Sequence, residues 1–444
     1  MKEERKQYWT TRYQNKRFCL VTLGCPKNQV DSGILAGQLA EQGIRLVNEA
    51  ENADVILINT CGFIEDAKQE SINAVLEAIR FKSGFNRKEV YVWGCLAQRY
   101  AGEIEKEIPE ADGYFGVEAF EVMGKYFFGP DYQVPSDIHI KRILTTPSHV
   151  AYIKIADGCS HKCTFCAIPQ IKGPFRSRPM HSLIEEAEAL AERGVKELIL
   201  IAQDTTRYGT DLKGKKTLAR LLDSLVNIRG IEWLRIMYAH PNHVSDALIE
   251  IMAGEDKICN YLDMPLQHIA DPVLKAMGRG SSRTSIERLI DKLRTRIPGL
   301  VLRTTFIVGF PKESEEYFLE LLTFVENTKF ERLGTFIYSP EEGTAAFSMT
   351  KTVDRKISEM RYARLMETQQ EISEILNSHQ EEMVQQVIID EYDREHNLYI
   401  GRTRGDCLEI DQAVWISGEA EIGDIVQVCI EDSGPYDLWG SIVE

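Results

Sequence analysis

Ala151-Tyr152-Ile153-Lys154-Ile155-Ala156-Asp157-Gly158-Cys159-Ser160-His161-Lys162-Cys163-Thr164-Phe165-Cys166 sets an apolar, strand-like run directly before three thiols spaced CxxxCxxC. Thiolates are the usual ligands of iron–sulfur clusters. Three of them hold three irons of a cubane and leave the fourth iron open, and an open coordination position is what makes a metal site catalytic rather than structural. The strand delivers the loop at its C-terminal end. Zinc is the alternative occupant, with His161 as a fourth ligand. A histidine inside the loop closes a tetrahedron poorly, and zinc sites usually pair two CxxC knuckles, so the spacing favours iron–sulfur.

Outward from this loop, a strand-then-helix pattern repeats about six times over 149–378. The expected strands are Tyr152–Ala156, Leu198–Ala202, Leu234–Tyr238, Tyr261–Met264, Leu302–Val308 and Leu333–Tyr338, each followed by an amphipathic stretch, the last being Asp354–Gln380. Six units predict a partial (βα)6 barrel rather than the full eight. Its chemistry belongs at the C-terminal ends of the strands, where Cys159 follows the first.

The preceding zone, 17–130, alternates continuous apolar strands with helical stretches. The strands are Phe18–Leu23, Val55–Asn59 and Val90–Trp93; the helices include Ser32–Glu41 and Glu65–Arg80. That pattern predicts a parallel α/β domain with helices on both faces. Cys25, Cys61 and Cys95 each close one of its strands. In a parallel sheet the strand ends share one edge, and ligands bind outside the carboxyl ends, so the topology gathers three thiols distant in sequence. Gly24, Gly62 and Gly94 are expected to let the backbone approach a bulky cluster. A single cysteine at a strand end is more often ordinary core; three in matching positions favour a metal. Cys19, Cys259, Cys407 and Cys429 show no such arrangement and are assigned to packing.

The remaining zones are a charged leader (1–16, expected to be mobile), a Pro-containing linker (131–148) and a run of short β-like segments over 379–444 that predicts a small all-β barrel of about five strands. The net charge is −16, and Gln380–Glu444 alone holds sixteen acidic residues against three arginines and no lysine. Such a segment repels nucleic-acid phosphates and suits a solvated surface or a basic partner. No apolar run approaches a membrane span, and no signal-like h-region follows the start. A cytoplasmic protein with reduced thiols is expected.

The Cys159–Cys166 loop with Phe165 resembles the signature of the radical S-adenosylmethionine superfamily. With Cys25, Cys61 and Cys95 ahead of it and a β-barrel behind, the chain resembles the methylthiotransferases; Gly173–Pro179 and Phe306–Pro311 add to the likeness. Leu23-Gly24-Cys25-Pro26-Lys27-Asn28 and Cys61–Ser71 look like the branch that modifies an aspartate of a small-subunit ribosomal protein, and the last zone resembles a TRAM domain. The branch acting on isopentenyladenosine in transfer RNA carries a Gln-Met-Asn stretch after the first cysteine, absent here. The resemblance implies two 4Fe–4S clusters, on Cys159, Cys163 and Cys166 and on Cys25, Cys61 and Cys95, with S-adenosylmethionine as radical source and methyl donor. It implies hydrogen removal from the aspartate β-carbon by a 5′-deoxyadenosyl radical, followed by methylthio insertion. Phe165 would pack near the adenine, and Gln203, Asp204 and Arg303, at expected strand ends, would hold the methionine or ribose. The implied partners are a basic ribosomal protein, free or in the ribosome, and an electron donor such as flavodoxin or ferredoxin, with no transfer-RNA substrate. The alternatives are a transfer-RNA methylthiotransferase and a zinc-stabilised RNA-binding scaffold. His240, His243 and His268 are expected to be structural.

Overall fold

The structure, a computed structural model, describes residues 12–13, 15–83, 88–214 and 217–443. They form two compact units. The first takes in the chain through Thr146 together with Asp157–His161 and Cys166–Phe175; the second takes in Pro147–Ala156, Lys162–Phe165 and the chain from Arg176 on.

The first unit is built on a parallel sheet of β1 (Arg17–Thr22), β2 (Arg45–Leu46), β3 (Val55–Thr60), β4 (Glu89–Gly94) and β5 (Gly113–Phe115), in the order β2-β1-β3-β4-β5. Alternation of side chains across a strand sends successive residues to opposite faces. Val55, Leu57, Tyr91 and Trp93 enter a core rich in aromatic rings, with Phe18, Phe115 and Phe127. Ile56, Ile58, Val90 and Val92 enter a second core on the other face. Both faces are therefore covered, as a parallel sheet requires.

Residues 1–11 and 14 of the expected leader lie outside the described residues. Tyr13 is 1% exposed and packs edge-on against Phe18 and Phe127, so an aromatic anchor ties the segment to the sheet. The stretch 131–148 is also more than a tether: Ile143 donates its N–H to the Gly33 carbonyl at 3.0 Å, and Tyr132 accepts from Gln38 at 2.8 Å.

In the second unit, β6 (Val150–Lys154) precedes the cysteine loop, which the short strands β7 (Ala156–Asp157) and β8 (Arg176–Ser177) flank in sequence. The main sheet continues with β9 (Glu197–Ile201), β10 (Trp233–Ile236), β11 (Ile258–Asp263), β12 (Val301–Val308) and β13 (Arg332–Ile337). All pairings are parallel and the order is β13-β12-β11-β10-β9-β6, so the sheet stays open between its first and last strands, a partial barrel. The helix Arg355–Ser378 leads into a closed five-stranded barrel of β14 (Val384–Asp393), β15 (Leu398–Thr403), β16 (Ala413–Ser417), β17 (Ile425–Ser433) and β18 (Asp437–Ile442). Val387, Ile389, Val414, Ile416, Val428, Ile430 and Leu438 fill it. At Gly440 of β18 a side chain would meet the Cys429 carbonyl at 2.2 Å, so only glycine lets the strands close.

A layer of buried ion pairs joins this barrel to the strands of the partial barrel. Glu197 accepts from Arg235 and from Arg402, both at 2.7 Å, and Arg402 also grips Asp390, which meets His149 at 2.8 Å. Arg332 pairs with Asp406 at 2.7 Å, and Arg303 with Asp263 at 3.1 Å and Asp411 at 3.3 Å. No described helix is long and apolar enough to cross a membrane.

Candidate metal centres

The register of three neighbouring strands sets the first cysteine group. Thr22 pairs with Asn59, and Thr60 with Gly94. Continued by two residues from the first pair and one from the second, that register aligns Gly24, Cys61 and Cys95, with Cys25 one step beyond. Strands lie about 4.8 Å apart, so the three thiols share one short stretch of the sheet's carboxyl edge. Cys25 is the N-cap of the helix Pro26–Glu41, and Cys95 opens the helix Cys95–Arg99. Cys61 is held at both backbone groups by Ser71, whose hydroxyl accepts from the Cys61 N–H and donates to its carbonyl, each at 2.9 Å. Asn28 ties the loops together, donating to the Leu23 carbonyl at 2.8 Å and the Thr60 carbonyl at 3.2 Å.

The glycines act differently from the expectation. A side chain at Gly24 would lie 2.7 Å from Cys61 Cβ, one at Gly62 would lie 2.8 Å from Leu96 Cα, and one at Gly94 (φ +97°) would lie 2.4 Å from Asn59 Oδ1. They bring the strand-end loops against one another rather than clearing space for a cluster.

The donor set fits a metal cluster. Burial pushes the Cys95 thiol up to about 12; Lys172 opposes the rise, while Cys25 and Cys61 add to it. Burial likewise raises Cys61, with Cys25 contributing. The rise at Cys61 and Cys95 is what a bound cation reverses, because it deprotonates its ligands on binding. Lys172 lies in the helix Ile168–Lys172 that follows the second cysteine group, and it is buried at 3.3 Å from Asp31 and 4.0 Å from Asp157. Ala167 and Ile171 of the same segment pack with Cys95.

The second group lies on a loop whose ends are fixed. The Cys159 N–H donates to the Gly173 carbonyl at 3.0 Å, and Phe175 N–H donates to Ser160 Oγ at 3.1 Å. Donors point at the sulfurs: the His161 N–H lies 3.5 Å from Cys159 Sγ, and an Arg279 guanidinium N–H lies 3.8 Å from Cys163 Sγ. Phe165 is half-buried among Ala270, Val273, Met277 and Phe310. Phe310, from the second stretch that carried the resemblance, lies edge-on to Phe165 with ring centroids 6.5 Å apart.

Gln203 and Asp204 follow β9 at its carboxyl end, as expected. Asp204 is buried and accepts from the Thr206 hydroxyl at 2.5 Å and meets His243 Nδ1 at 2.9 Å. Arg303 is a correction. It is the third residue of β12, and its guanidinium is taken up by Asp263, the last residue of β11, and by Asp411, so it is committed to buried ion pairs. His268 is fully buried, with Ala270 N–H at 3.0 Å and Glu313 at 3.3 Å, a satisfied core residue.

Comparison with known proteins finds a family model over each of three stretches of the chain. Residues 17–116 match the uncharacterized protein family UPF0004, 153–325 the Radical SAM superfamily and 383–443 the TRAM domain. A ribosomal protein uS12 methylthiotransferase RimO from Desulforamulus reducens is 45% identical over 441 residues, covering 96% of this chain and 99% of the relative. One of the same name from Clostridioides difficile is 44% identical, covering 96% and 99%. The chain belongs to the RimO family.

Among solved structures, the radical S-adenosylmethionine methyltransferase TsrM from Kitasatospora setae superposes with a TM-score of 0.53 at 13% identity, covering 72% of each chain. At that identity the likeness is one of fold. This RimO-family member is thus a radical SAM enzyme with a TRAM barrel. Lys172 and Arg279, the two cations beside the cysteines, were not singled out by sequence. The one available signal was the position of Lys172 just before Gly173–Pro179.

Proposed function

We propose that this enzyme replaces a hydrogen on the β-carbon of an aspartate in ribosomal protein uS12 with a methylthio group. The observation that carries the reading is the presence of two three-cysteine groups, one in a tight loop and one at three adjacent strand ends, in a chain of this family. When bound, a 4Fe–4S cluster on Cys159, Cys163 and Cys166 would supply the electron that opens S-adenosylmethionine, and a second on Cys25, Cys61 and Cys95 would supply the sulfur.

The residues divide the remaining work. Phe165 offers a ring face for the adenine, while Gln203 and Asp204 stand at the strand ends to orient the polar part of the cofactor. Ser71 and Asn28 fix the backbones that carry Cys61 and Cys25, so those thiols keep their positions without metal. Acidic side chains of the TRAM barrel, among them Glu381, Glu382, Glu391, Glu395, Glu409 and Glu419, are exposed. They repel RNA phosphates and attract a basic ribosomal protein.

The test is anaerobic incubation of the reconstituted enzyme with uS12 or ribosomal subunits, and separately with transfer RNA, read by mass spectrometry. Methylthio appears on the protein; modification of RNA alone would refute the assignment. Metal analysis gives about eight iron per chain for two clusters, and zinc without iron would end the radical reading. Cys163→Ala abolishes S-adenosylmethionine cleavage, whereas Cys61→Ala retains cleavage and loses sulfur insertion.

A further inference from the structure

We propose that Arg279 is a positioning residue that balances the charge of the radical cluster from the Cys163 side and raises its reduction potential. The inference rests on the assignment of that cluster to Cys159, Cys163 and Cys166.

Arg279 is buried, at 8% exposure. One guanidinium N–H is directed at Cys163 Sγ at 3.8 Å, another donates to the Pro265 carbonyl at 2.7 Å, and among the described residues Nε has no hydrogen-bond partner. Among the described residues no carboxylate pairs with it. Other buried arginines of this chain behave differently: Arg235, Arg361 and Arg402 each have a carboxylate within 3.0 Å. An uncompensated buried charge is expensive, so the counter-charge of Arg279 is to be sought in the sulfur it faces.

The backbone aims it there. The helix Asp271–Met277 ends at Gly278 in the left-handed region, and Gly280 is left-handed too, at φ +68°. A side chain at Gly278 would lie 2.6 Å from the Lys162 carbonyl, so the turn is pressed on the cysteine loop. Thr164 ties the two together, its N–H donating to the Met277 carbonyl at 2.9 Å and its hydroxyl to the Ala276 carbonyl at 2.8 Å. Asn242 holds the Arg279 carbonyl at 3.2 Å. The arginine is thus fixed by the same turn that fixes Cys163.

Reduction adds one electron to the cluster and moves no proton, so the thiolate-bound group gains a full negative charge from the external donor. A fixed cation and a hydrogen bond to a ligand sulfur both favour the more negative state.

The test is a dye-mediated potentiometric titration, followed by electron paramagnetic resonance, of the full-length chain with Cys25, Cys61 and Cys95 replaced by Ala so that one cluster titrates. Arg279→Met lowers the ratio of reduced to oxidised cluster at a fixed potential about tenfold, which is ~59 mV for a one-electron couple, at unchanged iron content. Arg279→Lys restores most of the shift. A wild-type potential in Arg279→Met overturns the proposal. If Arg279→Met fails to hold iron, retention by Arg279→Lys supports the charge role, and loss in both variants overturns it in favour of packing against Pro265. A parent chain that holds no cluster removes the metal assignment itself, and the role of Arg279 with it.

Discussion

At the scale of residues, the cysteines were legible and their surroundings were not. CxxxCxxC is a local pattern, and Cys25, Cys61 and Cys95 repeat with the period of a strand–helix unit, so spacing alone exposes both groups. Lys172 meets Asp31 across 141 positions and Arg279 meets Cys163 across 116; no periodicity encodes such pairs. Lys172→Met removes the cation from beside Asp31, Asp157 and Cys95. Breaking a buried pair costs about 3–5 kcal/mol, so the metal-free chain should unfold at lower temperature. After reconstitution, iron should be lost from the first cysteine group while S-adenosylmethionine cleavage persists. Arg at this position keeps the charge and recovers most of the iron. Equal iron in the Met variant would show that Lys172 serves stability alone.

At the scale of elements, strand periodicity exposed the long strands of the two sheets, because buried parallel strands read as unbroken apolar runs, while their order came only from the structure. What periodicity could not reveal was the purpose of the strand-end glycines. Gly94 adopts φ +97° with Asn59 Oδ1 where a side chain would sit, and a non-glycine residue in that region costs of order 1–3 kcal/mol. Gly94→Ala is therefore expected to destabilise the chain and to displace Cys95, lowering its iron content. Gly102, within the helix Ala101–Glu107, has open space around it, and Ala there should stabilise by about 0.5–1 kcal/mol. Paired thermal melts and iron assays of the two variants check both signs. Arg303 belongs to the same lesson: the strand was read correctly, but the carboxylates that take up its guanidinium, Asp263 and Asp411, lie far away in sequence.

At the scale of the whole chain, the charge count pointed to an acidic C-terminal domain without saying how much of that acidity meets water. Asp390, Asp406 and Asp411 are spent on Arg402, Arg332 and Arg303 inside the second unit. Glu197→Gln leaves Arg235 and Arg402 buried with their counter-charge halved, and is expected to cost about 3–5 kcal/mol, seen as a lower urea midpoint. Burial alone would raise the Glu197 carboxyl, but Arg402 and Arg235 outweigh it and hold the group below the usual 4.5. His149 and Arg402 likewise depress Asp390 below 3.8. A depressed carboxyl stabilises the fold above its unfolded value and loses that contribution as pH falls through its folded value. Stability of this unit should therefore hold down to pH about 4.5 and fall below it, with a smaller fall in Glu197→Gln; an unchanged slope in the variant would place the acid lability elsewhere.

That ionic layer also limits how the chain can be taken apart or recombined. Cutting after residue 380 would uncover Glu197, Arg235, Arg303 and Arg332 at once, so the truncated fragment should be sticky and prone to precipitate rather than a usable minimal catalyst. A TRAM domain grafted from another protein would have to present acids and an arginine at matching heights. The joint works as a keyed coupling, and any chimera that exchanges the C-terminal module has to carry the charges of the partial-barrel strands across with it.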